Sequence, residues 1–248
     1  MAEKRLLILG GTGEARALAG LACELPGLRV TTSLAGRTKK PEPVPGKIRS
    51  GGFGGASTMA DELHRAAYDM VIDATHPFAA AISAHAAEAC AAANVELLTL
   101  ARPPWREAPS DRWIDAADMA DAAEKSGQFG PDIFITTGRR GLQAFSGLQG
   151  CRLLVRLVDA PQTPLPIPDA EVITGRGPFG EVEELALMQR HHVTCLVAKN
   201  SGGDATYGKI AAARSLGVAV VMLTRPSQPS DETVSEIDDA LAWINERL

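Results

Sequence analysis

The sequence predicts an α/β protein built from two wound domains, each with a largely parallel sheet. Short apolar segments of strand length alternate along the chain with amphipathic segments of helical length. Several of the short segments are continuous runs of Val, Ile and Leu, which is typical of strands that helices cover on both faces. The 248 residues are also enough for two compact units.

The strands are predicted at residues 5–9, 28–32, 70–74, 95–100, 132–136, 153–158, 193–198 and 218–223. Helices are predicted at residues 13–25, 59–67, 78–92, 179–189, 205–216 and 237–248, where apolar residues recur at three- and four-residue spacing. Pro103 and Pro104 interrupt regular structure after the fourth strand. We therefore expect one domain over residues 1–104, a second over residues 105–248, and a ligand cleft between them.

Composition and charge exclude several classes of protein. A hydrophobic content of 45% with 22% charged residues excludes a disordered chain. The net charge of −5, without a long run of like charge, argues against nucleic acid as a partner. The apolar run at residues 6–9 is too short for a signal peptide or a membrane span, so we expect a cytoplasmic protein.

The cysteines predict neither a metal site nor a disulfide framework. They are far apart in the sequence, and no two of them form a Cys-x-x-Cys pair. We interpret all four as small core residues: Cys23, Cys90, Cys151 and Cys195.

A glycine-rich turn joins the first predicted strand to the first predicted helix. Its residues are Gly10, Gly11, Thr12, Gly13 and Glu14. Glycines before a helix N-terminus let backbone N–H groups approach a pyrophosphate closely, so the turn predicts a Rossmann-like domain that binds a dinucleotide. Arg16 occupies the place of the third glycine of the usual fingerprint. Because other nucleotide folds use similar turns, a nucleotide-sugar or S-adenosylmethionine enzyme remains an alternative.

The end of the second strand favours NADPH over NADH. Sites that prefer NAD carry an Asp or Glu about 20 residues after the glycines. Here Ser33 stands at that distance from Gly13, and Arg37 and Thr38 follow it. These side chains could donate hydrogen bonds to a dianionic 2′-phosphate. The alternative for Arg37 is a solvated loop cation.

Polar residues also follow the third predicted strand. Asp73, Thr75 and His76 lie where strand ends face the ligand crevice of an open α/β sheet. Pro77 suits the first turn of the next helix. His76 could donate a proton near neutral pH, or it could cap the helix and shape the crevice.

Cationic residues recur at strand ends and loops of the second half. They are Arg139, Arg156, Arg176, Lys199 and Arg225, and Lys199 is followed by Asn200, Ser201 and Gly202. Several cations on one rim predict a ligand that carries several carboxylates or phosphates. For Lys199 we favour a carboxylate anchor over a general acid or a Schiff-base lysine.

Four segments together resemble the precorrin-6A reductases of cobalamin biosynthesis. They are residues 10–16 (GGTGEAR), 73–79 (DATHPFA), 137–139 (TGR) and 198–203 (AKNSGG), and the resemblance runs from about residue 5 to residue 226. It implies that NADPH reduces a ring double bond of precorrin-6A to give precorrin-6B. The substrate is then a tetrapyrrole with many carboxylates, which agrees with the cationic rim.

The resulting site prediction has three parts. The catalytic residues are His76 and Lys199, and no metal is expected. The predicted NADPH-binding residues are Gly10, Gly11, Thr12, Gly13, Glu14, Ser33, Arg37, Thr38, Asp73 and Thr75. The predicted substrate-binding residues are Arg139, Arg156, Arg176, Lys199, Asn200, Ser201, Gly202 and Arg225.

The sequence leaves other points open. We expect a monomer, and transient contact with neighbouring pathway enzymes is not decided. A metal-free and a cobalt-containing substrate remain alternatives. So do an NADPH-dependent reductase of a small anionic substrate and a non-catalytic NADP-binding sensor.

Overall fold

The computed structural model describes residues 3–36, 43–167, 169–230 and 232–248. The chain forms two compact units, one made of Met1–Pro103 with Pro226–Leu248 and the other of Pro104–Arg225. Each unit contains one six-stranded sheet in which every pair of neighbouring strands is parallel. The predicted α/β class with wound parallel sheets is confirmed.

The strands are β1 (Lys4–Leu9), β2 (Leu28–Leu34), β3 (Lys47–Ser50), β4 (Met70–Asp73), β5 (Glu96–Leu100), β6 (Trp113–Ala116), β7 (Asp132–Ile135), β8 (Arg152–Leu157), β9 (Glu171–Thr174), β10 (Cys195–Lys199), β11 (Ala219–Leu223) and β12 (Thr233–Val234). The α-helices are α1 (Gly13–Ala22), α2 (Ala56–Arg65), α3 (Ala80–Ala93), α4 (Met119–Ser126), α5 (Glu181–Arg190), α6 (Gly208–Leu216) and α7 (Ile237–Asn245). Two short 3-10 helices lie at Leu142–Gly147 and Asp204–Thr206.

The first sheet has the strand order β12-β5-β4-β1-β2-β3. Successive side chains of a strand point to opposite faces, so the apolar run of β1 supplies two cores. Leu6 and Ile8 pack with residues of α1 and α7, whereas Leu7 and Leu9 pack with residues of α2 and α3. The strand therefore lies between two helical layers, as its composition predicts.

The second sheet has the order β6-β11-β10-β7-β8-β9. One of its cores joins Phe134 and Leu196 to Met188 of α5 and Ile210 of α6. The N-termini of these two helices lie close together. A Cβ on Gly208, the first residue of α6, would lie 2.5 Å from the carbonyl oxygen of Phe179, which comes just before α5. Only a glycine at that position permits this approach.

The two sheets share one topology. In each, three successive strands run to one edge and the fourth lies on the other side of the first, so the order reverses between β1 and β4 and between β7 and β10. Ligands of such sheets bind outside the carboxyl ends of the strands at this reversal. One edge strand of each sheet departs from chain order. Strand β6 follows β5 in the chain but pairs with β11 in the second sheet, whereas β12 follows β11 in the chain but pairs with β5 in the first sheet.

The C-terminal segment corrects the predicted division of the chain. Residues 226–248 were expected in the second domain, but they belong to the first unit. Val234 pairs with Leu100, and Ala240, Trp243 and Ile244 are buried in the core that α1 shares. The physical reason is that the outer face of β5 and α1 needs an apolar cover, which α7 supplies.

Smaller differences concern short elements and two cysteines. The strands β3, β6, β9 and β12 and the helix α4 were not predicted, since they are short and only partly apolar. Cys90 and Cys195 are buried as expected, and burial raises the pKa of each thiol to about 12. Cys23 is exposed and Cys151 half-buried, so neither is a full core residue.

Among the described residues, no helix has both the length and the apolar character needed to cross a membrane.

Candidate functional site

The glycine turn lies directly beyond the carboxyl end of β1. A Cβ on Gly10 would lie 2.8 Å from Cγ2 of Thr32, so the turn can approach β2 only because this residue is glycine. Gly11 has a φ of 117°, which other residues rarely adopt. The N–H of Gly10 donates to the carbonyl oxygen of Ser33 over 2.9 Å and fixes the turn against the end of β2.

Thr12 connects this turn to the neighbouring strand end. It is the N-cap of α1: its Oγ1 accepts from the N–H of Ala15 at 3.1 Å and donates to the carbonyl oxygen of Ala74 at 2.7 Å. The loops after β1 and β4 are therefore held together at the reversal of strand order. Thr12 was predicted as a cofactor-binding residue, and its hydroxyl group orients the helix N-terminus.

The space beside the turn suits a pyrophosphate. A Cβ on Gly11 or Gly13 would meet no atom within 4 Å, so the backbone of the turn borders open space. The first turn of α1 directs N–H groups and the positive end of its dipole toward its N-terminus. The residues present thus fit the phosphate groups of a dinucleotide.

Glu14 forms an ion pair that sequence reasoning missed. Nη1 of Arg102 donates to Oε1 of Glu14 at 2.8 Å and to Oε2 at 2.9 Å. Burial alone would raise the pKa of Glu14, but the hydrogen bond from Arg102, further hydrogen bonds to the carboxylate and the charge of Arg102 together outweigh it and hold the pKa below its usual value. Both side chains border a shallow hollow with Thr12 and Thr75. The pair offsets an acidic charge at a helix end where an anion would bind.

Asp73 shapes the loop after β4. The residue is buried, and its Oδ1 accepts from the N–H of Thr75 at 3.0 Å and from the Thr75 hydroxyl at 2.7 Å. In His76, Nδ1 accepts from the N–H of Phe78 at 3.2 Å, so a neutral ring carries its proton on Nε2. The structure therefore brings Asp73 and Thr75 next to the glycine turn, and it gives His76 a fixed orientation.

A second residue that the sequence analysis did not single out, Arg49, lies on β3 beside the end of β2. Ser33 is buried, and in the sheet its partner on β3 is Arg49. Nη1 of Arg49 lies 3.4 Å from Oγ of Ser33. The predicted residues Arg37 and Thr38 lie outside the described residues. The signal for Arg49 would have been strand β3 itself, whose register places this side chain beside Ser33.

Lys199 lies at the carboxyl end of β10, at the reversal of order in the second sheet. Its Nζ donates to the carbonyl oxygen of Thr137, in the loop after β7, at 2.9 Å. Burial, together with the nearby charge of Arg140, lowers the pKa of Lys199 below its usual value. Oγ1 of Thr137 is buried and has no hydrogen-bond partner among the described residues. The loops after β7 and β10 thus place a cation and a hydroxyl group together.

The residues after Lys199 mainly build their own loop. The Asn200 side chain clamps the backbone of Trp105: Oδ1 accepts from its N–H at 2.8 Å, and Nδ2 donates to its carbonyl oxygen at 3.1 Å. Arg225 donates through Nε to the carbonyl oxygen of Asn200 at 3.2 Å. Ser201 is buried, and Gly202 has a φ of 68°. Both polar atoms of the Asn200 amide group therefore bond to the backbone of Trp105, which leaves fewer hydrogen bonds for a ligand.

The remaining predicted arginines fall into two groups. Arg139 and Arg176 are exposed, and Arg139 contacts the hydroxyl group of Thr163. Arg156 differs, since only 10% of its side chain is exposed and it pairs with the buried Glu184 at 2.5 Å. Its guanidinium carbon lies 4.1 Å from the ring centre of Phe179. The charge of Arg156 is therefore already paired inside the second unit, and its contact with the substrate stays a prediction.

Comparison with known proteins gives one consistent family. The family model described as precorrin-6x reductase CbiJ/CobK matches residues 5–245. The precorrin-6A reductase of Rhodococcus erythropolis is 46% identical over 241 residues, which cover 97% of each chain. That of Sinorhizobium sp is 44% identical over 244 residues, or 98% of this chain and 94% of the relative.

A solved structure gives the same result. The structure of CobK precorrin-6A reductase matches with a TM-score of 0.92 at 40% identity, covering 98% of this chain and 96% of that one. The resemblance drawn from four short segments is confirmed over nearly the whole sequence. The chain belongs to the precorrin-6x reductase CbiJ/CobK family.

Proposed function

We propose that this protein uses NADPH to reduce a ring double bond of precorrin-6A, giving precorrin-6B. The observation that carries the proposal is the glycine turn at the reversal of strand order in the first sheet, in a chain of this family. NADPH, when bound, supplies the hydride for such a reduction. The protein supplies binding, orientation and electrostatics.

The cofactor is assigned to the first unit. Gly11 and Gly13 leave room for the pyrophosphate at the N-terminus of α1, and Gly10 lets the turn lie close to β2. Thr12 fixes the turn, and Arg102 offsets the charge of Glu14 beside it. Asp73 and Thr75 support the neighbouring loop, and a contact of Thr75 with the cofactor stays a prediction. Binding by Arg37 and Thr38 also stays a prediction.

The substrate carboxylates are assigned to cations of the second unit. Lys199 is the central one, because the carbonyl oxygen of Thr137 holds its ammonium group at the reversal of strand order. Arg139, Arg176 and Arg225 are the further proposed contacts. A contact of Arg156 with the substrate stays a prediction, because Glu184 already pairs with this arginine.

Two groups are proposed to handle the proton that accompanies reduction. His76 can give a proton from Nε2 only as the imidazolium, because a neutral ring that lost this proton would become an imidazolate. Protonation of Nδ1 then costs the hydrogen bond that this atom accepts from the N–H of Phe78. Lys199 has a lowered pKa, so its ammonium group gives up a proton more readily than an exposed lysine does. Each acts as donor if its replacement slows turnover more than it weakens binding.

The test combines the purified protein, NADPH and precorrin-6A. We expect loss of the nicotinamide absorbance in step with a change in the pigment spectrum, one cofactor oxidised for each substrate reduced. NADPH oxidation with a compact carboxylated molecule but none with the tetrapyrrole would contradict the proposed substrate. Cofactor binding without any oxidation would indicate a sensor instead. A parallel run with the cobalt-containing substrate decides which form is used.

A further inference from the structure

We propose that Arg49 binds the 2′-phosphate of NADPH and so determines the preference for this cofactor over NADH. The inference rests on the proposed function, since it assigns a residue to that cofactor. It also differs from the sequence-based assignment to Arg37, because the strand that carries Arg49 is recognised only in the structure.

Its place in the sheet is the first argument. In Rossmann-like domains the adenosine ribose lies at the end of the second strand, where an acid binds the 2′-hydroxyl group of NAD. Here β2 ends with Ser33 and Leu34, and Ser33 pairs in register with Arg49 on β3. The guanidinium thus lies 3.4 Å from the Ser33 hydroxyl group, where an acid would stand in an NAD site. The Gly10–Ser33 hydrogen bond keeps this strand end beside the glycine turn.

The guanidinium is held rigidly, and all its partners are neutral. Nη1 donates to the carbonyl oxygen of Gly51 at 2.7 Å, and Nη2 donates to that of Gly52 at 3.2 Å. The guanidinium carbon lies 3.7 Å from the ring centre of Phe53. No carboxylate of the described residues lies within ion-pair distance of Arg49, whereas Arg102, Arg156 and Arg214 each pair with an acid. A fixed cation without an acidic partner is suited to bind an incoming anion.

Two N–H groups of the Arg49 guanidinium remain for a phosphate. A guanidinium has five N–H groups, and the three contacts above use two on Nη1 and one on Nη2. The N–H of Nε and the second N–H of Nη2 have no acceptor among the described residues. Two N–H groups of one guanidinium can each donate to a different phosphate oxygen, and the Ser33 hydroxyl group can donate to a third.

The test measures binding by calorimetry, which does not depend on turnover. For Arg49→Gln we expect the Kd for NADPH to rise about 10- to 100-fold, the effect of losing hydrogen bonds to a charged group, and the Kd for NADH to stay within about threefold. Arg49→Lys keeps the charge but loses the paired donors, so it should recover only part of the preference. Lys47→Gln removes the same charge from the same strand and should leave the ratio of the two Kd values unchanged.

The possible outcomes separate the inference from the proposed function. If the wild type prefers NADPH and Arg49→Gln retains that ratio, or if Lys47→Gln lowers it equally, the inference is wrong and the cofactor assignment stands. Equal losses for both cofactors would show that Arg49 only holds the loop at Gly51 and Gly52. If the wild type shows no preference for NADPH, the cofactor assignment fails together with the inference. Should Arg49→Gln not fold, Arg49→Lys decides, with adenosine 2′,5′-bisphosphate and adenosine 5′-monophosphate as the ligands.

Discussion

Lys199 Nζ donates a 2.9 Å hydrogen bond to the carbonyl oxygen of Thr137, and this bond spans the reversal of strand order in the second sheet. The corresponding place in the first sheet is spanned by the bond from Thr12 Oγ1 to the carbonyl oxygen of Ala74. In both units a hydrogen bond therefore joins the two strand ends at the reversal of strand order, but the donor groups differ. One uses a neutral hydroxyl group beside a glycine turn, and the other uses a cation.

Lys199→Met should raise the KM for precorrin-6A about tenfold or more while leaving the Kd for NADPH unchanged. The reason is the loss of a partly desolvated cation that is proposed to bind a substrate carboxylate. Because the pKa of Lys199 is lowered, wild-type substrate affinity should fall as the pH rises through that pKa, below the usual lysine value of 10.5. Kinetics across the pH range check this, and an unchanged KM in the variant would remove Lys199 from the site.

Glu14→Gln should lower the free energy of unfolding by roughly 1 kcal/mol at neutral pH, since it removes the charge that Arg102 binds. The folded-state pKa of Glu14 lies below the unfolded value, so the contribution is present above the unfolded pKa of about 4.5 and is lost as the pH falls through the folded pKa. Urea unfolding at neutral and acidic pH measures it. We expect the difference between wild type and variant to shrink in acid, and a constant difference would contradict this assignment.

Gly11→Ala should weaken NADPH binding as well as stability. Gly11 has a φ of 117°, so alanine there is strained by about 1 kcal/mol or more and must distort the turn. Gly217→Ala is the matched control: this glycine has a φ of 66°, and its Cβ would also meet nothing within 4 Å. It lies at the C-terminus of α6 in the second unit. Both variants should unfold more easily, but only Gly11→Ala should change the Kd for NADPH in a calorimetric titration.

Arg156→Met should lower the free energy of unfolding by about 3–5 kcal/mol, because it leaves the carboxylate of Glu184 buried without its partner. The double variant Arg156→Met/Glu184→Met should recover most of that loss, since apolar residues of similar size can replace a buried pair. Arg139→Gln, at an exposed position, should barely change stability and should raise the substrate KM. If Arg156→Met instead unfolds like the wild type and only raises KM, then Arg156 belongs to the substrate site after all.

The strands with continuous apolar sequence were predictable, and those at sheet edges were not. Residues 6–9 are buried on both faces of β1, so their composition alone identifies a strand. Strand β3, with the sequence KIRS, is mostly exposed, and its composition is that of a loop. Because β3 was not predicted, Arg49 was not predicted as a site residue either. Only its register with Ser33 supports the cofactor-binding role proposed for it.

Long-range pairs at the candidate site could not be predicted from the sequence. Arg156 was expected on the rim because it stands near a strand end, but its partner Glu184 is 28 residues away on a helix. No local sequence pattern pairs Arg102 with Glu14, because Glu14 lies 88 residues earlier. The glycine turn, by contrast, is a local feature whose strand, turn and helix are consecutive in the sequence, and the structure places it where the sequence predicts.

The exchanged edge strands affect the order in which the protein can assemble during translation. The second unit is one continuous segment, Pro104–Arg225, and all six of its strands are available once that segment has left the ribosome. Translation of the first unit begins earlier. Until β12 and α7 have been synthesised, however, the edge of β5 is unpaired and apolar side chains of α1 are exposed to solvent. The half that carries the proposed cofactor site, although translated first, is thus the half that is finished last.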